Sequence, residues 1–132
     1  MTNKVTSNDS DPSTRNKELV LHGLAEFARG NTEVLRDLLR EDFIEHSPGN
    51  PSGRDEFLRF IANSPVARAR LDIKRVITDA EYAVVHYHMV EPDDDRGTAV
   101  IDIWRLVDGQ ITEHWDVVQP VPTSDQLPHG MF

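Results

Sequence analysis

The stretch from Thr98 to Val118 decides the fold, and it reads TAVIDIWRLV, then DG, then QITEHWDVV. Two runs rich in β-branched and aromatic residues are joined here by Asp108-Gly109. An Asp-Gly pair between such runs is the strongest short signal for a two-residue β-hairpin turn. The pattern therefore predicts one strand over 98–107, a second over 110–118, and antiparallel pairing between them.

A regular two-residue turn also predicts the register of this hairpin. It places Asp102 opposite Trp115 and Trp104 opposite Glu113, on a face that is otherwise apolar. His114 and Asp116 then lie on the other face. They join Asp102 only if a β-bulge, a feature enriched beside active sites, shifts the last strand by one residue.

Asp102 is out of place between Val100 and Trp104. A carboxylate on an apolar wall either has a partner or is harder to ionise, and both states serve acid/base chemistry. The alternative interpretation is that Asp102 lies at the sheet edge or pairs with an arginine such as Arg105 or Arg75. Because the regular register gives Asp102 no cationic neighbour, we expect Asp102→Asn to leave stability at neutral pH unchanged or improved.

The rest of the chain predicts helices first and strands second. A helix is expected after the Asp11-Pro12 cap, a second from Thr32 with Leu35, Leu38 and Leu39 on one face, and a third over 54–63 with Ser52 in a capping box. From residue 71 the pattern changes to the alternation of strands. This order favours an α+β fold in which helices pack on a curved antiparallel sheet and enclose a pocket. Residues 1–11 are polar and are expected to form a mobile arm, which leaves 12–132 as one domain.

Composition excludes several classes of function. The 132 residues include no cysteine, so a disulfide framework, a thiolate metal site and a cysteine nucleophile are excluded. The formal net charge of −9 argues against nucleic acid or an anionic membrane as the partner. No apolar stretch approaches the ~20 residues of a membrane span and no signal core is present, so we expect a cytoplasmic protein. Without a glycine-rich phosphate loop or a G-x-S-x-G elbow, we expect no cofactor and no serine nucleophile.

The histidines are the other candidate site residues. His86 and His88 project from one face of their predicted strand, and they could begin a metal site with Asp102, His46 or His114 as third ligand. We favour histidines without a ligand and expect no metal. His46 ends a short apolar segment before a Pro/Gly-rich loop, where a side chain can reach a pocket mouth; the alternative is an ordinary polar loop residue.

Five segments carry a resemblance to a known family: IKRVITD (73–79), AVVHYH (83–88), VIDIWR (100–105), DGQITEHWDVVQP (108–120) and FIEHSP (43–48). They resemble the SnoaL-like family of the nuclear-transport-factor-two-like superfold, and the resemblance spans residues 16–132. It implies a cone in which three N-terminal helices cap a strongly curved mixed sheet, with a homodimer through the convex face. The polyketide cyclases of this family are similar to cofactor-free aldol catalysts that use one aspartate on a C-terminal strand. By motif that role falls on Asp102 or Asp116.

We therefore expect a cofactor-independent enzyme that moves a proton on a small apolar carbonyl compound. The register favours Asp102 as the acid/base group, with His46 or His88 donating to the enolate oxygen. The pocket is expected to be walled by three aromatic side chains, Phe43, Trp104 and Trp115. The alternatives are a non-catalytic ligand-binding module on the same cone and a His/carboxylate metal site.

Two further expectations concern surfaces. The face opposite Asp102 carries four apolar residues in the regular register, which predicts a homodimer: Ala99, Ile101, Ile103 and Val118. The C-terminal tail contains Leu127, Met131 and Phe132, and it is expected to pack on the domain or on its partner.

Overall fold

The computed structural model describes residues 11–132, so the expected arm over 1–11 lies, apart from Asp11, outside the described residues. Within these described residues the elements are three α-helices, two short 3-10 helices (Pro65–Arg68 and Ser124–Gln126) and five strands. The helices are α1 (Pro12–Ala28), α2 (Val34–Leu38) and α3 (Arg54–Ala62). The strands are β1 (Leu39–Glu45), β2 (Arg70–Thr78), β3 (Tyr82–Val90), β4 (Thr98–Val107) and β5 (Gln110–Pro120).

The sheet has the order β1-β5-β4-β3-β2 and is not closed. Strands β2 to β5 pair antiparallel, and β1 pairs parallel with β5, so the sheet is mixed. The predicted α+β class is confirmed. Within residues 11–132, no helix combines the length and the apolar character needed to cross a bilayer.

Helix α1 begins and ends where local signals place it. The carboxylate of Asp11 accepts the N–H of Ser13 at 3.1 Å, and Pro12 occupies the first turn. At the other end Gly30 adopts a φ of +83°, and its N–H bonds to the carbonyl of Phe27. Gly30 directly follows the C-cap, Arg29, and its left-handed backbone ends the helix.

The predictions for the segment between α1 and α3 are partly wrong. Thr32 does not cap α2, whose N-cap is Glu33. Leu39 begins β1 rather than extending a helix, because the edge of β5 is available for parallel pairing. Ser52 does not cap α3 either; its hydroxyl accepts the N–H of Glu45 at 3.0 Å, and Gly53 is the N-cap.

The β4–β5 hairpin contains a β-bulge. The turn pairs Val107 with Gln110 as predicted, but Thr112 is an extra residue, so that pairing beyond it shifts by one. The hydroxyl of Thr112 lies 3.4 Å from the carbonyl oxygen of Arg105. The regular register is therefore wrong, and the bulged alternative is correct. The shifted pairs are Arg105 with Glu113, Trp104 with His114, Ile103 with Trp115 and Asp102 with Asp116.

The core lies between the helices and one face of the sheet, which we call the inner face. The inner face comprises the side chains on β3, β4 and β5 that point to the same side as Asp102, namely Ala83, Val85, Tyr87, Val100, Trp104, His114 and Asp116. The opposite, outer face carries the alternate residues, among them His86, His88, Ile101, Ile103 and Trp115. Phe132 of the tail packs its ring 4.6 Å from that of His88 on the outer face, so the predicted packing of the tail on the domain is confirmed.

Candidate functional site

A cavity of about 160 Å³ lies between the helices and the inner face. Helix α1 contributes Val20, Leu24 and Phe27, and the walls from α2 and α3 are also apolar. The polar side chains gather on the sheet side and at the loop after β1. They are Tyr87, Asp102, His114, Asp116 and Asn50, with Ser64 next to α3.

His114 is the centre of the buried polar group. Its Nε2 lies 2.9 Å from Oδ1 of Asp102, and its Nδ1 lies 2.8 Å from Oε1 of Glu45. All three side chains are 5% exposed or less. Each ring nitrogen faces a carboxylate oxygen, and an ionised carboxylate can only accept, so between two ionised carboxylates the ring is an imidazolium. Burial alone lowers the pKa of His114, but the hydrogen bonds and charges of Asp102 and Glu45 outweigh it and raise the pKa to about 9.

Asp102 has both carboxylate oxygens occupied. Oδ1 faces His114, and Oδ2 accepts the phenol of Tyr87 at 2.9 Å. Burial, followed by the charge of Asp102, raises the pKa of Tyr87 well above its ordinary value, so the phenol remains the donor. Strand β4 is internal to the sheet, and Arg105 bonds instead to Glu81, so both alternative interpretations of Asp102 are wrong. The premise that no cation faces Asp102 is also wrong, because the bulge brings His114 beside it.

Asp116 lies directly opposite Asp102 and lines the cavity. It is half-buried, and its Oδ2 accepts the hydroxyl of Ser47 at 2.9 Å. Within the described chain its other oxygen receives no hydrogen bond. Burial raises the pKa of Asp116, and the charges of Asp102 and Glu45 add to the rise, while Ser47 and His114 oppose it. Asp116 is thus a carboxyl group that can exchange a proton with a molecule in the cavity.

The end of β1 supplies residues that the sequence reasoning missed. Besides His114, Oε1 of Glu45 accepts the backbone N–H of Ser47 at 3.0 Å. The amide nitrogen of Asn50 lies 3.5 Å from Oε2 of the same carboxylate. The signal that could have found Glu45 is the alternation in DFIE, which puts it on the same side of the strand as Phe43, the core residue.

His46 and His88 are not brought to the site. His46 stacks on Trp115 with ring centroids 4.9 Å apart, and its Nε2 lies 2.6 Å from Oε2 of Glu113. His88 is on the outer face, with Nε2 2.7 Å from the carbonyl oxygen of Arg96. The sheet separates both histidines from Asp102, so their assignment as donors to an enolate in the cavity is wrong.

The three aromatic residues that were predicted to wall the pocket lie in three different environments. Trp104 lines the cavity, and its ring stacks on that of His114 with centroids 3.8 Å apart. Trp115 lies on the outer face, because the bulge reverses the side it presents. Phe43 is 1% exposed and packs against Phe57 in the core, outside the cavity wall. The placement of Trp115 and Phe43 on the wall is therefore wrong.

Asp102, His114 and Asp116 also meet the spacing of a metal site, since one potential ligand atom from each lies within 4.8 Å of the others. The chemistry of the set opposes this use. Both nitrogens of His114 lie within 2.9 Å of carboxylate oxygens, and an imidazolium held between them offers no lone pair to an ion. His86 and His88 lie on the outer face, so they do not complete a site with Asp102.

The profile of the SnoaL-like domain family matches residues 20–114. Among solved structures, a candidate ketosteroid isomerase from Kribbella flavida is 20% identical, with a TM-score of 0.75 and coverage of 92% of this chain and 93% of that one. An NTF2-like protein of unknown function from Burkholderia xenovorans is 14% identical, with a TM-score of 0.76 and coverage of 89% and 96%. A candidate SnoaL-like polyketide cyclase from Jannaschia is 19% identical, with a TM-score of 0.70 and coverage of 81% and 87%. No curated protein matches significantly. At these identities the solved structures establish the cone fold.

Proposed function

We propose that this chain, which belongs to the SnoaL-like domain family, is a cofactor-independent enzyme that moves a proton on a small, apolar carbonyl compound. Asp116 is the acid/base group. The observation that carries this is a half-buried carboxyl of raised pKa that opens on an apolar cavity. A general acid/base works best when its pKa approaches the operating pH, and burial moves a carboxyl in that direction.

Asp116 takes the role that the sequence favoured for Asp102. Both oxygens of Asp102 are used by His114 and Tyr87, whereas Asp116 keeps one oxygen free. In the proposed step that oxygen accepts a proton from the carbon next to the carbonyl group. The electron pair moves onto the carbonyl oxygen. The carboxyl proton exchanges with solvent, and the same carboxyl then delivers a solvent-derived hydrogen to the carbon.

Asn50 is suited to stabilise the developing enolate oxygen. It lines the same cavity, and within the described chain the only hydrogen bond of its side chain is a 3.5 Å contact to Glu45. A contact of that length leaves the amide N–H groups available. A positioned donor to a developing oxyanion is typically worth a large part of the rate acceleration.

The cavity supports a small, uncharged substrate. No lysine or arginine from residues 11–132 lines it, and it already contains two carboxyl groups. Burying a further unpaired anion there is costly. Its volume of about 160 Å³ suits a molecule of about one ring, since a cavity of roughly 150 Å³ holds benzene.

The proposed step can be tested without knowing the full reaction. When cyclohexanone or acetophenone is incubated with the protein in D₂O, deuterium should appear at the carbon next to the carbonyl. Proton NMR measures this exchange as the loss of the signal from that carbon's hydrogens. Asp116→Asn should lower the exchange rate by roughly 10²–10⁴-fold, the usual contribution of general acid/base catalysis. Asp95→Asn is the matched control, because Asp95 is exposed in the β3–β4 loop. Exchange that survives in Asp116→Asn contradicts the assignment.

A non-catalytic ligand-binding module is the second candidate, favoured by the almost wholly apolar helix side of the cavity. It predicts saturable binding of acetophenone in ligand-observed NMR with no deuterium exchange in the wild type. Asp116→Asn would then leave binding unchanged. An enzyme should bind in both forms but exchange deuterium only with Asp116 intact.

A further inference from the structure

A single oxygen atom of Glu45 connects the His114–Asp102 pair with the segment that holds Asp116. Its side chain is 0% exposed. Oε1 accepts one hydrogen bond from Nδ1 of His114 and one from the backbone N–H of Ser47. The hydroxyl of Ser47 in turn donates to Asp116. A buried carboxylate therefore touches His114 directly and Asp116 through one intervening residue.

The backbone positions Glu45 for this contact. Parallel pairing of β1 with β5 places Glu45 opposite His114, and the N–H of His46 bonds to the His114 carbonyl at 2.9 Å. The hydroxyl of Ser52 accepts the backbone N–H of Glu45. The carboxylate consequently reaches His114 from an ordered strand end.

Glu45 supplies a second carboxylate to a ring that already faces Asp102. With one carboxylate, a buried imidazole can be neutral and accept a proton at its other nitrogen. With a carboxylate at each nitrogen, both nitrogens must carry a hydrogen. The other titratable groups that face His114 are Tyr87 from β3 and Asp116 on its own strand, whereas α1, α2 and α3 present apolar side chains to the cavity.

We infer that Glu45 is a positioning residue, which keeps His114 a fixed imidazolium and orients Asp116 through Ser47 so that the free oxygen of Asp116 faces the cavity. His114 is then a permanent positive charge beside Asp102 rather than a second acid/base group. The inference deepens the proposed function and rests on it only for the activity measurement below.

The state of His114 is testable without any substrate. In protein labelled with ¹⁵N at histidine, and assigned by loss of its signals in His114→Gln, both ring nitrogens should be protonated at pH 7 and should titrate near 9. In Glu45→Gln the midpoint should fall by at least about one pH unit, a tenfold change in proton affinity. Glu41→Gln, on an exposed position of the same strand, should leave the midpoint unchanged. A wild-type His114 that titrates near 6.5, or a midpoint that Glu45→Gln does not move, overturns the inference.

The activity measurement separates positioning from simple structural support. The charge of Glu45 raises the pKa of Asp116, so Glu45→Gln should move the rising limb of the pH–rate profile to lower pH. Ser47→Ala removes only the hydroxyl; it should lower kcat at least about tenfold with little change in KM, and it should leave the His114 titration intact. A structural role alone would lower activity without moving the profile.

The two proposals can fail separately. If wild-type protein exchanges no deuterium, the proposed function fails, while the His114 titration still decides the role of Glu45. If Glu45→Gln does not fold, the wild-type titration and Ser47→Ala decide it. A Ser47→Ala enzyme with unchanged kcat removes the link to Asp116.

Discussion

His114 on the inner face and His86 on the outer face show how burial and partners together determine the state of an imidazole. Two carboxylates raise the pKa of His114 to about 9 against the effect of burial. Burial, with the charges of Arg75 and Lys74, lowers the pKa of His86. The inner face thus holds a fixed cation between carboxylates, and the outer face a neutral ring beside cations. The sheet separates these two settings although only strand β4 lies between the strands of the two histidines.

The same contrast applies to ion pairs. On the inner face, Asp102 and His114 are each 5% exposed. At the surface, Arg105 of the outer face and Glu81 of the β2–β3 turn are 41% and 48% exposed, and their Nε and Oε2 atoms are 2.8 Å apart. Exposed pairs are screened by water and salt and contribute about 0–1 kcal/mol. Removing one partner of a buried pair is far more damaging, because it leaves an uncompensated charge.

The largest expected effect follows directly from this contrast. Asp102→Ala should lower the free energy of unfolding by about 3–5 kcal/mol, because it leaves His114 and Tyr87 without their shared acceptor. Asp102→Asn should also destabilise the protein, but less, contrary to the expectation from the regular register. Urea unfolding at pH 7 measures both. Glu81→Ala, which breaks the exposed pair with Arg105, is the control and should cost far less than Asp102→Ala; equal losses at the two positions would contradict the comparison.

The second prediction concerns pH. A histidine whose pKa rises from 6.5 in the unfolded chain to about 9 in the folded one stabilises the fold fully below pH 6.5. That contribution is lost as the pH rises through about 9, and it amounts to at most about 3 kcal/mol. Urea unfolding across this pH range gives the free energy of unfolding of the wild type and of His114→Gln. The difference between the two should shrink as the pH rises through about 9. His86→Gln should not reproduce it; a difference that is flat with pH would contradict the assigned state of His114.

The fold was largely predictable because its signals are local. The turn at Asp108-Gly109, the alternation in the strands and the caps of α1 each depend on neighbouring residues. The bulge at Thr112 was not predictable by the same route, since threonine is as good a strand residue as those around it. One inserted residue moves every later side chain to the other face. For that reason His114 and Asp116, and not Trp115, share the inner face with Asp102.

The site was less predictable because it is assembled from distant segments. Glu45 lies in LREDFIE, a polar stretch whose burial depends on pairing with β5, far along the chain. Alternation with Phe43 puts Glu45 and the exposed Glu41 on the same side of the strand, so it does not show which of the two is buried. His46 and His88 were plausible by residue type, but the strand register sends both to the outer face.

The third prediction uses the apolar residues of the outer face, where we expect the chain to dimerise. Ile101 and Ile103 are half-buried there, and Val117 is 67% exposed. Val118, which the regular register placed beside them, lies on the inner side and lines the cavity. Sedimentation should give about twice 15.0 kDa. Val117→Lys should weaken association at least about tenfold, or ~1.4 kcal/mol, whereas Val107→Lys at the hairpin tip should not; a wild-type monomer at micromolar concentration would contradict the prediction.

The smallest expected effect is the change in the free energy of unfolding caused by Asp116→Asn. The sign of that change distinguishes a catalytic carboxyl from a structural one. Burial raises the pKa of Asp116 above 3.8, so the folded state binds the proton more tightly than the unfolded chain does. The ionised form therefore opposes folding; this cost is absent below pH 3.8 and grows as the pH rises through the folded pKa.

Asp116→Asn removes the cost and still offers an oxygen to the hydroxyl of Ser47. Urea unfolding at pH 7 should show unchanged stability or a gain below about 1 kcal/mol, and no gain near pH 4. Asp95→Asn should stay within about 0.5 kcal/mol of wild type at both pH values. A clear loss of stability at pH 7 in Asp116→Asn would make Asp116 a structural partner of Ser47, and the acid/base assignment would lose its physical basis.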